Sequence, residues 1–202
     1  MGKSDKYIIP FYKEKISQTD SPIALLGFSN NDMFDGDLYG LSLGNWNINS
    51  EWELDKKYNT IICTRCAYFA KDPEDFITRC YNSLGENGLL YVDWGLGDHW
   101  RYKDFKVGWL KGEEHEGHYF DGNFLWSTVW DDSFLEDGEC KRFSKAIKKY
   151  GYEDLKASVK KEVPYMLTLN FVKKYFDVRY DILTIEEPYL QMYILLSCRR
   201  LR

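Results

Sequence analysis

Residues 56–95 read KKYNTIICTRCAYFAKDPEDFITRCYNSLGENGLLYVDWG. Within them, residues 59–64 (NTIICT) form a continuous β-rich run of strand length. Asp72 then offers an N-cap side chain, Pro73 the first helical position, and Glu74 and Asp75 the acids of a first turn. Phe76, Ile77, Cys80, Tyr81 and Leu84 recur at helical spacing and give that helix one apolar face. Gly85 sits where a left-handed C-cap glycine belongs. Residues 88–95 (GLLYVDWG) read as a second buried strand. Strand, helix and strand joined in this way form a right-handed βαβ unit with parallel strands.

Working outward, residues 7–18 predict a short helix beginning near Pro10. A buried strand follows at 23–28, and another at 38–43 that ends at Gly44 and Asn45. The connection between them is marginal for a helical crossover. Residues 96–135 are long, rich in Gly, Trp and Tyr, and lack clean periodicity. A long segment after a strand's carboxyl end is where open α/β sheets carry ligand sites. A Lys-rich amphipathic helix is expected at 141–150, and Thr168 caps a helix in LNFVKKYF. Two strands, 178–185 and 191–199, close the chain. The turn EEPY between them is too short for a crossover, so they pair antiparallel. No repeat, low-complexity tract or Pro/Gly/Ser linker interrupts residues 1–202, which read as one α/β domain.

Composition narrows the partners. The net charge of −5 leaves no electrostatic footprint for nucleic acid. The Lys-rich stretch 141–161 reads as a solvated helix face beside the acidic stretch 121–139. No apolar run approaches bilayer length, and MGKSDKYIIPFYKEK lacks the apolar core of a signal peptide. Lys6 breaks the myristoylation pattern. A cytoplasmic protein without a membrane partner is the expectation. Five cysteines at irregular spacing do not suggest a disulfide framework. Cys63 and Cys66 match C-x-x-C but lack the further ligands of a zinc site, and read as small residues at a strand's end. Seven Trp exceed what a core of this size requires, and indoles in a cleft suit planar ligands and the C–H faces of sugars.

The stretch KDPEDFITRCYNSLGENGLLYVDWG resembles the core of class I S-adenosylmethionine-dependent methyltransferases, with LGENGLL standing where that family has L-x-P-G-G-x-L. EEPYLQMYILLSCRR is similar to the family's terminal hairpin, so the resemblance covers most of 20–95 and 165–200. It implies a three-layer Rossmann-like sheet, mostly parallel with an antiparallel C-terminal strand, and S-adenosyl-L-methionine as cofactor. The family's glycine-rich turn after the first strand is reduced here to LLGFSNND, with one glycine, Gly27, and no acid before it. SLGNW is similar to the family's turn beside adenine, with Asn45 where an acid usually stands.

On that resemblance the cofactor side is built from Gly27, Phe28 and Ser29, from Asn45 and Trp46, and from Thr64 and Arg65. Tyr12, with Tyr7, lies over the cofactor as a lid or packs its helix on the sheet. The cofactor arrives activated, so the protein mainly positions an acceptor, and a hydroxyl acceptor also needs a base. His99 beside Asp98, with Asp93, are the candidate catalytic groups. Trp94, Trp100, His118 and Trp126, with Trp109 and Trp130, line the acceptor cleft or pack the core. No metal is assigned: EEHEGH misses H-E-x-x-H, and Asp93, Asp98, Asp121 and Asp131 have no fixed ligand spacing. The expected function is O-methylation of a sugar or other small hydroxylated acceptor. The alternative is a methyltransferase-like domain that binds a glycan or protein partner without catalysis.

Overall fold

A computed structural model describes residues 4–16, 21–95, 124–127, 165–185 and 191–202 of the chain. Its centre is a six-stranded sheet in the order β2-β1-β3-β4-β8-β7. The strands are β1 (Ile23–Leu26), β2 (Asp37–Tyr39), β3 (Tyr58–Cys63), β4 (Leu84–Gly95), β7 (Phe176–Ile185) and β8 (Gln191–Arg200). The first four run parallel, and β8 pairs antiparallel with both β4 and β7. A separate antiparallel ladder joins β5 (Phe124–Ser127) to β6 (Tyr165–Thr168). The fold class is therefore the expected mostly parallel α/β sheet with an antiparallel C-terminal pair.

The βαβ unit at 56–95 forms as read. Helix α2 (Pro73–Ser83) is capped by Asp72, whose Oδ1 accepts from the Asp75 N–H at 2.9 Å. Phe76, Ile77 and Cys80, at helical spacing, are buried on it, together with Pro73 and Ser83. Removing the cap oxygen in Asp72→Ala should cost about 1 kcal/mol. Urea unfolding of the variant measures this, and an unchanged midpoint would count against the cap.

The other helix end differs from expectation. Gly85 is not a C-cap: Leu84 is already extended and pairs with Tyr58, and the left-handed residue is Asn87 at φ 58°. Strand pairing reaches back to the helix end, so the turn becomes a bulge inside β4 between the Tyr58 and Thr60 pairings. Asn tolerates that conformation better than most residues with a Cβ.

Helix α1 (Asp5–Lys15) starts well before Pro10, which lies inside it and faces outward. Asp5, Ile8, Ile9 and Tyr12 form its buried stripe, and packing of that stripe outweighs the carbonyl left without a donor at Pro10. Tyr12 packs against Tyr91 of β4, while Phe76 of α2 packs against Trp94. Residues 91 and 94 point to opposite faces of a strand, so α1 and α2 cover opposite faces and make three layers.

Three further boundaries differ from the sequence reading. Residues 27–36 join the parallel strands β1 and β2 without a helix, and β2 ends at Tyr39. Residues expected to continue it form a 3-10 turn, Leu41–Leu43. Thr168 does cap a helix, its Oγ1 accepting from Phe171 N–H at 3.2 Å, but that helix, α3 (Leu169–Val172), is one turn long. β5 was not legible in the sequence and falls inside the stretch expected to be a loop. The expected helix at 141–150 lies outside the described residues.

Candidate functional site

In the sheet order, β1 sends the chain to β2 on one side and has β3 on its other side. That is a topological switch point, and the crevice beyond the strand carboxyl ends there is where open α/β sheets bind ligands. A cleft of about 620 Å³ lies at this place. Gly27, Phe28 and Ser29 after β1, Trp46 after the β2 turn, and Thr64 and Arg65 after β3 all line it. Asp5 of α1, Met33, Leu41 and Ile48 line it too. Its size suits a cofactor-sized ligand.

Close backbone approach shapes the floor. Gly27 has φ +83°, and a Cβ there would stand 2.9 Å from Cys66 Sγ. The turn after β1 can therefore lie against the turn after β3 only without a side chain. Gly40 serves the neighbouring wall, where a Cβ would collide with the Phe28 carbonyl oxygen. The Gly27 N–H is engaged, donating to the Tyr39 carbonyl at 2.7 Å. Cys63 is buried and Cys66 half-buried, both as free thiols. Burial pushes the Cys63 thiol upward, which keeps it protonated.

Arg65 joins the cleft to the core. Its φ is 55°, and its N–H donates to Asp93 Oδ1 at 2.9 Å. Its guanidinium is paired with the Asp5 carboxylate. Two donors in this region are buried without a protein partner among the described residues: Arg65 Nε and Trp46 Nε1. Trp46 is only 6% exposed and meets Trp52 edge-on at 5.6 Å. Unsatisfied buried donors carry a desolvation penalty, and a ligand acceptor relieves it.

The remaining candidates fall elsewhere. Asn45 does not line the cleft. It clamps the turn after β2, accepting from Gly40 N–H at 2.9 Å and donating to the Leu38 carbonyl at 2.8 Å. Tyr12 is fully buried between Phe11 and Tyr91 and does not reach the cleft, whereas Tyr7 is exposed. Asp93 and Trp94 are both 0% exposed. Trp94 packs on Phe76 at 6.2 Å, so it belongs to the core between β4 and α2. Asp93 Oδ2 has no partner among the described residues. Burial pushes this carboxyl up to about 7, against the pull of the Arg65 N–H and guanidinium, with Asp5 adding to the rise.

His99, Asp98, Trp100 and His118 lie outside the described residues, as do Trp109 and Trp130. Trp126 has its backbone in β5. Among the described residues no group of side chains fits a metal ion, and no helix is long and apolar enough to cross a membrane. Asp5, Met33, Leu41 and Ile48 were missed from sequence. The sequence reading began the first helix near Pro10, so Asp5 lay outside it, and nothing local reveals a partner at Arg65.

No family model matches the chain, and no curated protein matches its sequence. Solved structures do. A Listeria monocytogenes protein assigned as an S-adenosylmethionine-dependent methyltransferase superposes with a TM-score of 0.50 at 11% identity. The match covers 96% of this chain and 97% of that one. The chain has the Rossmann-like methyltransferase fold. A methyltransferase from Clostridium acetobutylicum matches at 12% identity over 96% of this chain and 95% of its own, with a TM-score of 0.41. The glycopeptide N-methyltransferase MtfA, crystallised with S-adenosyl-L-homocysteine, matches at 10% identity, 94% and 84% coverage, and a TM-score of 0.48.

Proposed function

We propose that the chain is an S-adenosylmethionine-dependent methyltransferase acting on a sugar or other small hydroxylated acceptor. The observation that carries this is the switch-point cleft of about 620 Å³, which combines an aromatic wall with paired charges in a methyltransferase-fold sheet. The residues present fit the cofactor: Gly27, with no room for a Cβ against Cys66, brings the turn after β1 to the cleft wall, and Trp46 Nε1 and Arg65 Nε are buried donors without a protein partner among the described residues. When bound, the cofactor supplies an activated methyl group on a sulfonium, open to in-line displacement.

The chain's own residues then bind and orient. Trp46, Phe28, Met33 and Ile48 offer flat apolar surface to a nucleobase. Thr64 and Arg65 line the same cleft with Asp5. The 3-10 turn Leu41–Leu43, held by Asn45, closes one wall. His99, oriented by Asp98 just beyond the end of β4, takes the proton of the acceptor hydroxyl. Asp93 serves from below, holding Arg65 through its N–H. Trp100, His118 and Trp126 contribute to the acceptor side.

Calorimetric titration with S-adenosylmethionine and S-adenosylhomocysteine tests the reading. Micromolar binding of both is expected, followed by mass-shifted products in a screen of hydroxylated acceptors. No binding at millimolar nucleoside would overturn it and leave a scaffold that recognises a glycan or protein partner. The engaged Gly27 N–H favours that second reading.

A further inference from the structure

We propose that Arg65 and Asp5 together bind the zwitterionic amino-acid end of the nucleoside ligand, the guanidinium taking its α-carboxylate and the Asp5 carboxylate its α-ammonium. This rests on the methyltransferase reading and adds to it how a shortened turn holds the cofactor. The turn after β1 does not have the Gly27 N–H to give an anion, because that donor goes to the Tyr39 carbonyl. The cationic donor on the cleft wall is Arg65, and its Nε–H is buried without a protein partner among the described residues.

The pair is built for exchange. Arg65 and Asp5 come from positions 60 residues apart, both line the cleft, and their side chains are 32% and 6% exposed. Breaking a buried ion pair for one charged group would strand the other charge, at a cost of several kcal/mol. A zwitterion avoids this, since each charge of the pair gains an opposite charge. A guanidinium also presents a planar fork that matches a carboxylate bidentately. The fork is aimed by the backbone: φ 55° at Arg65 is held by the hydrogen bond from its N–H to Asp93.

The test compares two thioether nucleosides. S-adenosylhomocysteine carries the amino-acid end, and 5′-methylthioadenosine lacks it. By calorimetry the wild-type chain should bind the first about 100-fold more tightly than the second. In Arg65→Met that preference should collapse to within about threefold, through loss of S-adenosylhomocysteine affinity alone. Asp5→Asn should lose about tenfold on S-adenosylhomocysteine and nothing on 5′-methylthioadenosine. If Arg65→Met fails to melt cooperatively, Arg65→Lys replaces it, keeping the charge without the fork, and should lose most of the preference. An unchanged preference in the folded variants overturns this inference and leaves the methyltransferase reading standing. Failure of both nucleosides to bind the wild type overturns that reading and this inference with it.

Discussion

Trp94→Ala should lower the unfolding free energy by about 3–5 kcal/mol, the cost of removing a large aromatic from a packed core. Trp94 is 0% exposed, sits on β4 opposite Ile194 of β8, and meets the Phe76 ring at 6.2 Å and 72°. Its removal would leave a cavity between α2 and the sheet that close-packed neighbours fill only in part. Urea unfolding measures the loss. If Trp94 instead presented its indole to an acceptor, the variant would keep its stability within about 0.5 kcal/mol and change only acceptor binding. The first outcome assigns this tryptophan to packing, and the second returns it to the cleft.

Asp93→Asn should change how stability depends on pH. An unfolded Asp titrates near 3.9, whereas Asp93 in the folded chain is pushed up to about 7. Over that window the native chain keeps a proton that the unfolded chain has released. The resulting stabilisation is fully present below about pH 4 and is lost as pH rises through about 7. Three pKa units correspond to about 4 kcal/mol. The amide introduced by Asp93→Asn does not titrate, yet its oxygen still accepts from Arg65 N–H. The variant should therefore gain on the wild type by about 4 kcal/mol between about pH 4 and about pH 8, measured by urea unfolding at each pH. Parallel pH curves would show that Asp93 is not the buried acid described here. The Arg65 N–H and guanidinium both favour the ionised carboxylate, so the same titration would tighten the hold of Asp93 on Arg65 as pH rises through about 7.

How much was legible in the sequence differs by element. The β3–α2–β4 unit was readable because its signals are local: a capping Asp72, a Pro at the next position, and apolar residues at one helical face. The antiparallel C-terminal pair was readable because a short turn permits no crossover. The candidates after β1 and β3 were readable as well. Turns at the carboxyl ends of parallel strands meet wherever the strands are adjacent, and Gly27, Phe28, Ser29, Thr64 and Arg65 all line one cleft. Asn45 was misleading in a specific way. Its position in the turn is right, but a short amide side chain in a turn satisfies its own backbone first, as its bonds to Gly40 and Leu38 show. Tyr12 and Trp94 show the general ambiguity of aromatics, whose composition signal is the same in a core as in a cleft.

By itself the sequence determined the elements of the β3–α2–β4 unit and the antiparallel C-terminal pair, because strand and helix periodicities, capping residues and short turns act over a few positions. Tertiary structure alone decided which side chains share the site. Asp5 meets Arg65, Gly27 meets Cys66 and Arg65 meets Asp93 across long stretches of chain. Those contacts depend on strand order, on the left-handed backbone at Gly27 and Arg65, and on burial that changes the charge state of Asp93. None of these is a property of a local window, since each arises only when parallel strands β1, β3 and β4 bring their carboxyl ends together under α1.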